Sequence, residues 1–145
     1  MKYLPVAVAA LLTLTACGKQ GETQEEIEAC VGDFAEKYCN YELHEALKLC
    51  TPESRKWIAY TASNITDDDL AVLRAQDEGA VADVTDIEQS DSDTSAMATV
   101  VVSNFMFADS IGKPGRMVDE GTFLLPVVRR NGRWLVNLQS VVKPQ

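Results

Sequence analysis

Four cysteines and a single histidine are the side chains of this 145-residue chain best suited to covalent or acid–base chemistry. A cysteine thiolate attacks, binds metals or pairs as a disulfide, and an imidazole moves protons near neutral pH. The spacing removes most of that repertoire. The chain has no C-x-x-C pair, and His44 follows Leu43 just off an apolar stripe, so it reads as an exposed helix residue rather than a general base. Asp67-Asp68-Asp69 has the carboxylate density of a divalent-cation site, yet acids at a helix start are expected for capping and for the dipole. Asp91 and Asp93 have the D-x-D spacing of a calcium loop without its glycine and closing glutamate, so they read as a turn. Arg129, Arg130 and Arg133, with Lys113 and Arg116, offer an anion-binding patch, although such charges more often solvate a turn and block edge pairing. These readings assign no catalytic residue, no metal and no cofactor.

The elements that position these residues follow from periodicity. Ile27, Cys30, Val31, Phe34, Tyr38 and Tyr41 recur at three- and four-residue steps, which predicts a helix from near Thr23 to Asn40. Leu43, Ala46, Leu47 and Cys50 form a second short stripe. Thr51-Pro52-Glu53 reads as a fresh N-cap opening a helix with Trp57, Ile58 and Ala62, and Thr66 opens another with Leu70, Val72 and Leu73. After Gly79 the pattern changes to strands over 81–88, 96–107, 122–129 and 134–142. Turns fall at Ser90–Asp93 and Asn131-Gly132, and a loop spans 109–118. Helices followed by a four-strand meander predict an α+β domain with N-terminal helices packed on an antiparallel sheet.

Composition narrows the class. The chain is 46% hydrophobic with 13 basic and 22 acidic residues, a net charge of −9. That suits one globular core and argues against nucleic acid as a partner. It excludes a coiled coil, a collagen and a polytopic membrane protein.

The N-terminus carries an address. Lys2 precedes an apolar run from Leu4 to Leu14 that is too short to span a bilayer permanently. Leu14-Thr15-Ala16-Cys17-Gly18 then resembles the bacterial lipoprotein signal. The resemblance implies that residues 1–16 are removed as a signal peptide and that Cys17 is acylated on sulfur and nitrogen. Each buried methylene of such an anchor adds roughly 0.8 kcal/mol. Gly18 is not acidic, which by resemblance to Gram-negative lipoproteins allows transport to the outer membrane. Residues 17–22 read as the lipidated cysteine with a flexible tether, and 23–145 as the domain. Asp109-Ser110-Ile111 matches a short O-glycosylation acceptor pattern of some bacterial envelopes.

Three segments carry a resemblance of the domain. They are the long first helix with Phe34 and Tyr38, the stretch Tyr41-Glu42-Leu43-His44-Glu45-Ala46-Leu47 followed by Cys50-Thr51-Pro52-Glu53, and the closing Arg130-Asn131-Gly132-Arg133-Trp134-Leu135-Val136. With the element order they resemble the nuclear transport factor 2-like roll, or cystatin-like fold, as found in small bacterial lipoproteins. The resemblance implies a conical cavity between sheet and helices. Tyr38, Trp57, Tyr60, Phe105 and Trp134 are candidates to line it, with Thr99 and Ser103 as polar anchors; the same rings also serve as ordinary core. The fold hosts isomerases and dehydratases as well as binding modules, so it does not decide activity. Enzymes of this fold place Asp, His or Tyr on the inner sheet face. Positions 96–107 hold no Asp, Glu or His, and Asp109, Asp119 and Glu120 fall at strand ends. The expected function is therefore a non-catalytic, membrane-anchored binding domain for a small apolar ligand or an envelope protein. A pocket enzyme of the isomerase or dehydratase type is the alternative.

With Cys17 taken by lipid, Cys30, Cys39 and Cys50 remain. Cys30 and Cys39 on one helix are roughly 13 Å apart, beyond bridging distance. Cys30 and Cys50 are equally distant in sequence from the turn at Asn40, so an antiparallel helical hairpin brings them level. The expected disulfide is Cys30–Cys50, with Cys39–Cys50 and three reduced core thiols as alternatives.

Overall fold

A computed structural model describes residues 15–108 and 113–145, with side chains from residue 21 onward. Most of the expected signal peptide and the Asp109-Ser110-Ile111 acceptor lie outside the described residues. Helix α1 (Thr15–Cys39) is followed by α2 (Leu43–Leu47), a 3-10 turn (Pro52–Ser54), α3 (Arg55–Ser63) and α4 (Asp67–Arg74). Strands β1 (Val81–Gln89), β2 (Ser95–Phe107), β3 (Arg116–Arg130) and β4 (Arg133–Val136) form one antiparallel sheet in sequence order. Among the described residues no helix is long and apolar enough to cross a membrane.

The predicted stripe of α1 is the face it buries. Ile27, Val31, Phe34 and Tyr38 lie against the sheet, and the Phe34 and Tyr38 rings stack at 5.8 Å between centroids. Opposite them are Ala96, Ala98, Val100 and Val102 of β2, Phe123, Leu125 and Val127 of β3, and Trp134 and Val136 of β4. Each alternates with residues on the outer face, as a sheet covered on one side requires.

Three boundaries differ from expectation. Helix α1 is described from Thr15, so residues 17–22 are helical instead of forming an irregular tether. Strand β3 starts at Arg116 rather than near 122, since β2 is long enough to pair with it down to Phe107. Strand β4 ends at Val136 rather than 142 because a hydroxyl clamp diverts the chain. Fully buried Thr51 and Ser54 share a hydrogen bond of 2.7 Å between their hydroxyl oxygens. Thr51 Oγ1 donates to Asn137 Oδ1, and Ser54 Oγ accepts from the Leu138 N–H. Thr51 thus spends its side chain on the strand end and does not cap the helix after it.

Helix α1 ends in an unusual way. The Tyr41 N–H bonds the Tyr38 carbonyl and the Glu42 N–H bonds the Lys37 carbonyl, the pattern of a Schellman motif. Its left-handed position, normally glycine, is Tyr41 at φ 60°. Beside it, Asn40 clasps the main chain of Ala80 through both side-chain atoms and so ties the start of β1 to the helix end.

Candidate functional site

A second left-handed residue shapes the sheet. Asn104 sits at φ 58° and donates its amide to the Glu78 carbonyl at 2.8 Å. Up to Val102 the even residues of β2 face inward; beyond Asn104 the buried aromatic is Phe105. The Phe105 ring folds over Gly121 and meets Phe123 edge to face at 5.4 Å. A Cβ on Gly121 would lie 2.8 Å from Phe105 Cζ, so the bare glycine makes this placement fit.

Past this bend the roll opens into a cavity of about 280 Å³ between the sheet, the end of α1, α3, α4 and the C-terminal segment. Phe105, Met106, Phe107, Phe123, Val141 and Val142 supply apolar wall, and Cys39 adds its thiol. The polar groups are few and mostly spoken for. Tyr38 Oη and Thr61 Oγ1 are 2.7 Å apart, and Thr61 Oγ1 donates back to the Trp57 carbonyl. Tyr41 Oη donates to the Met106 carbonyl at 3.3 Å. Tyr60, 44% exposed, stands at the mouth with Asn64 and exposed Lys143.

Among the described residues the one carboxylate lining the cavity is Asp69, which is only 2% exposed. Oδ2 accepts from the Thr66 N–H at 3.0 Å, closing a capping box with the Thr66 hydroxyl. Oδ1 accepts from the Gly115 N–H at 2.7 Å. Burial alone would raise its pKa, but the Gly115 and Thr66 donors outweigh burial and hold the carboxyl below its ordinary value. The neighbouring phenols move the other way. Burial pushes Tyr38 up to about 12, and burial reinforced by the charges around it, Asp69 included, raises Tyr41 further.

The structure brings three predicted pocket residues together and leaves four elsewhere. Tyr38, Tyr60 and Phe105 line the cavity. Thr99 and Ser103 sit at positions of β2 that alternate with the buried ones, on the outer face. Strict alternation groups them with Phe105, and the reversal at Asn104 separates them. Trp57 packs half-buried beside the core with the Lys56 ammonium 5.1 Å from its ring. Trp134 is a core residue of β4 whose buried Nε1–H has no hydrogen-bond partner among the described residues.

Other expectations resolve as structure. His44 is exposed on α2. Asp91 and Asp93 sit in the β1–β2 turn, with Asp93 at φ 56°. Among the described residues no cluster of three His, Cys, Asp or Glu is arranged to hold a metal ion. The basic residues do not form one patch: Lys113 and Arg116 are at the opposite end of β3 from Arg129, Arg130 and Arg133. Arg130 binds both carboxylate oxygens of Glu53, and Arg133 donates to the Lys48 carbonyl.

The expected Cys30–Cys50 bridge is not formed. Cys30, Cys39 and Cys50 are free buried thiols. Cys30 and Cys50 are neighbours, as the hairpin argument requires, but each Sγ faces a main-chain carbonyl: Cys30 the Trp134 oxygen at 3.3 Å, Cys50 the Leu47 oxygen at 3.5 Å. Burial raises Cys30 to about 11 and Cys39 to about 12, which keeps both as weakly reactive thiols.

Sequence reasoning missed Asp69 and Lys143 as cavity residues, because neither stands on a strand or on the stripe of α1. Tyr41 carried a signal in hindsight: a bulky residue directly after a helix-ending Asn, where glycine is usual.

No protein-family model matches the chain, and no curated protein matches it by sequence. Solved structures do. A candidate scytalone dehydratase from Novosphingobium aromaticivorans superposes with a TM-score of 0.52 at 16% identity, over 89% of this chain and 91% of that one. A Mycobacterium tuberculosis protein of unknown function gives a TM-score of 0.46 at 12% identity, over 90% and 78% of the two chains. The first likeness and the element order make this domain a nuclear transport factor 2-like roll.

Proposed function

We propose that this protein is a cell-envelope lipoprotein, acylated at Cys17 and held at the outer membrane, whose roll binds a small apolar molecule. In this reading residues 1–16 are removed and residues 23–145 form the binding domain. The observation that carries the binding function is the cavity itself. It approaches the size range of small-molecule sites, is walled by aromatic and aliphatic groups, and has a handful of placed polar atoms. The lipid anchor is supported by the Leu14-Thr15-Ala16-Cys17-Gly18 box at the end of the apolar run.

A pocket enzyme is the second reading, favoured by the Asp69 carboxylate beside the Tyr41 phenol in the same cavity and by the likeness to a candidate dehydratase. The electrostatics favour binding. An efficient acid–base pair has pKa values drawn toward the working pH. Here the carboxylate is held low and the phenols high, which makes a weak base and weak acids.

Two experiments test the proposal. Full-length chain produced in a bacterial host should incorporate labelled palmitate and fractionate with membranes, and Cys17→Ser should lose both; labelling that persists in Cys17→Ser sinks the anchor. The purified full chain should bind tert-butylbenzene, and Ala108→Trp, which fills the cavity from its wall, should abolish that binding. Binding unchanged in Ala108→Trp would place the ligand elsewhere.

A further inference from the structure

The hydrogen-bonding polarity of the cavity defines the ligand more closely. Hydroxyl groups at the inner end are already engaged by one another and by main-chain carbonyls. Tyr41 spends its proton on the Met106 carbonyl. The Tyr38 and Thr61 hydroxyls share one proton across a 2.7 Å contact in which either can donate, and Thr61 also reaches the Trp57 carbonyl at 3.4 Å. Asp69 is held as a carboxylate and has no proton to give. What these groups retain is acceptor capacity: lone pairs on Tyr38 Oη and Tyr41 Oη and the remaining lone pairs of the carboxylate. Donors are found at the other end, where Tyr60, Asn64 and Lys143 border the mouth. Among the described residues the cavity is thus apolar along its walls and rich in acceptors at its floor, where the weak Cys39 S–H is the one thiol donor.

We propose that the ligand is a compact apolar molecule carrying a hydroxyl or N–H at its buried end, donated to the acceptor set of Tyr38, Tyr41 and Asp69. This rests on the binding reading given above. A ligand with only acceptors there, such as an ether or ketone, meets lone pairs on lone pairs and loses its own hydration without replacement. A ligand with a donor completes a site already built around a buried charge.

The test compares three probes of nearly equal shape on the full chain: 3-tert-butylphenol, 3-tert-butylanisole and tert-butylbenzene. Wild-type protein should bind the phenol about ten- to hundredfold tighter than the methyl ether, the usual range for a lost hydrogen bond to a charged group. Tyr41→Phe, which keeps the ring and removes one acceptor, should shrink that preference severalfold. Asp69→Asn, which puts a donor where only acceptors stood, should shrink or reverse it. If the three probes bind equally to the wild type, the donor requirement is wrong while the cavity stands as a binding site. If none binds, the binding reading fails and this inference with it. A preference that is undiminished in both variants assigns the donor to other groups and overturns the proposal. Tyr41→Phe keeps the test decisive if Asp69→Asn does not fold.

Discussion

The two ends of the roll are built from the same helix and the same sheet, but they obey different rules. At the closed end, Ile27 and Val31 of α1 pack on Ala98, Val100, Val127 and Val136 in register with helical period and strand alternation. The polar groups there, Thr51 and Ser54, satisfy one another and the end of β4. At the open end nearly every feature is a local exception. Tyr41 takes a glycine conformation, Asn104 reverses the facing of β2, Gly115 and Gly121 admit close neighbours, and Asp69 buries a charge. A non-glycine residue in left-handed backbone costs on the order of 1–3 kcal/mol and persists only where the surroundings hold it. The lesson is that this fold puts its stability in the regular half and its cavity in the half that breaks local preference.

The comparison can be broken most forcefully at the closed end. Ile27→Ala should lower unfolding stability by about 2–5 kcal/mol, measured by urea titration, through a cavity in a fully buried site. A cost under about 1 kcal/mol would mean that this half is not the stabilising one. Next in size is Asp69→Ala, expected to cost about 1–3 kcal/mol by leaving the Thr66 and Gly115 donors unpaired. Its pH dependence sharpens the point. The folded-state pKa of Asp69 lies below the unfolded value, so its contribution is present above about pH 4 and is lost as pH falls through the folded pKa. Wild-type stability should therefore fall more steeply than that of Asp69→Ala on acidification below about pH 4. Parallel curves would show that this carboxylate is not held low.

Smaller effects discriminate between stability and binding. Gly121→Ala should cost about 1–3 kcal/mol by crowding the Phe105 ring, and should weaken probe binding as that ring is displaced. Unchanged binding would remove Phe105 from the ligand wall. The smallest stability change is expected for Tyr41→Gly. Relief of left-handed strain, about 1 kcal/mol, offsets lost ring contacts, while binding drops because the ring and its oxygen are gone. A large loss of stability with binding retained would reverse the assignment of Tyr41 from ligand wall to core.

How far the sequence could be read follows the same divide. The stripe Ile27–Val31–Phe34–Tyr38, the four strands in order, the Asn131-Gly132 turn and the Thr66 cap were all legible, because each depends on residues within a few positions. The cavity was half legible. Tyr38, Tyr60 and Phe105 line it as the resemblance implies, whereas Thr99 and Ser103 do not. Counting by twos along β2 assumes an unbroken pleat, and nothing beside Asn104 announces the break. Asp69 was legible as a cap and illegible as a cavity residue, since its second partner, Gly115, is 46 positions away.

The sequence by itself determined the order of elements, the buried face of α1 and the acidic character, because periodicity, charge and short motifs are local. Tertiary structure alone decided where the cavity lies and which chemistry faces it. Asn104 is held by the carbonyl of Glu78, Tyr41 bonds Met106, and Asp69 bonds Gly115. Each of these choices joins residues distant in the chain, and only the packed fold brings such partners within hydrogen-bonding reach.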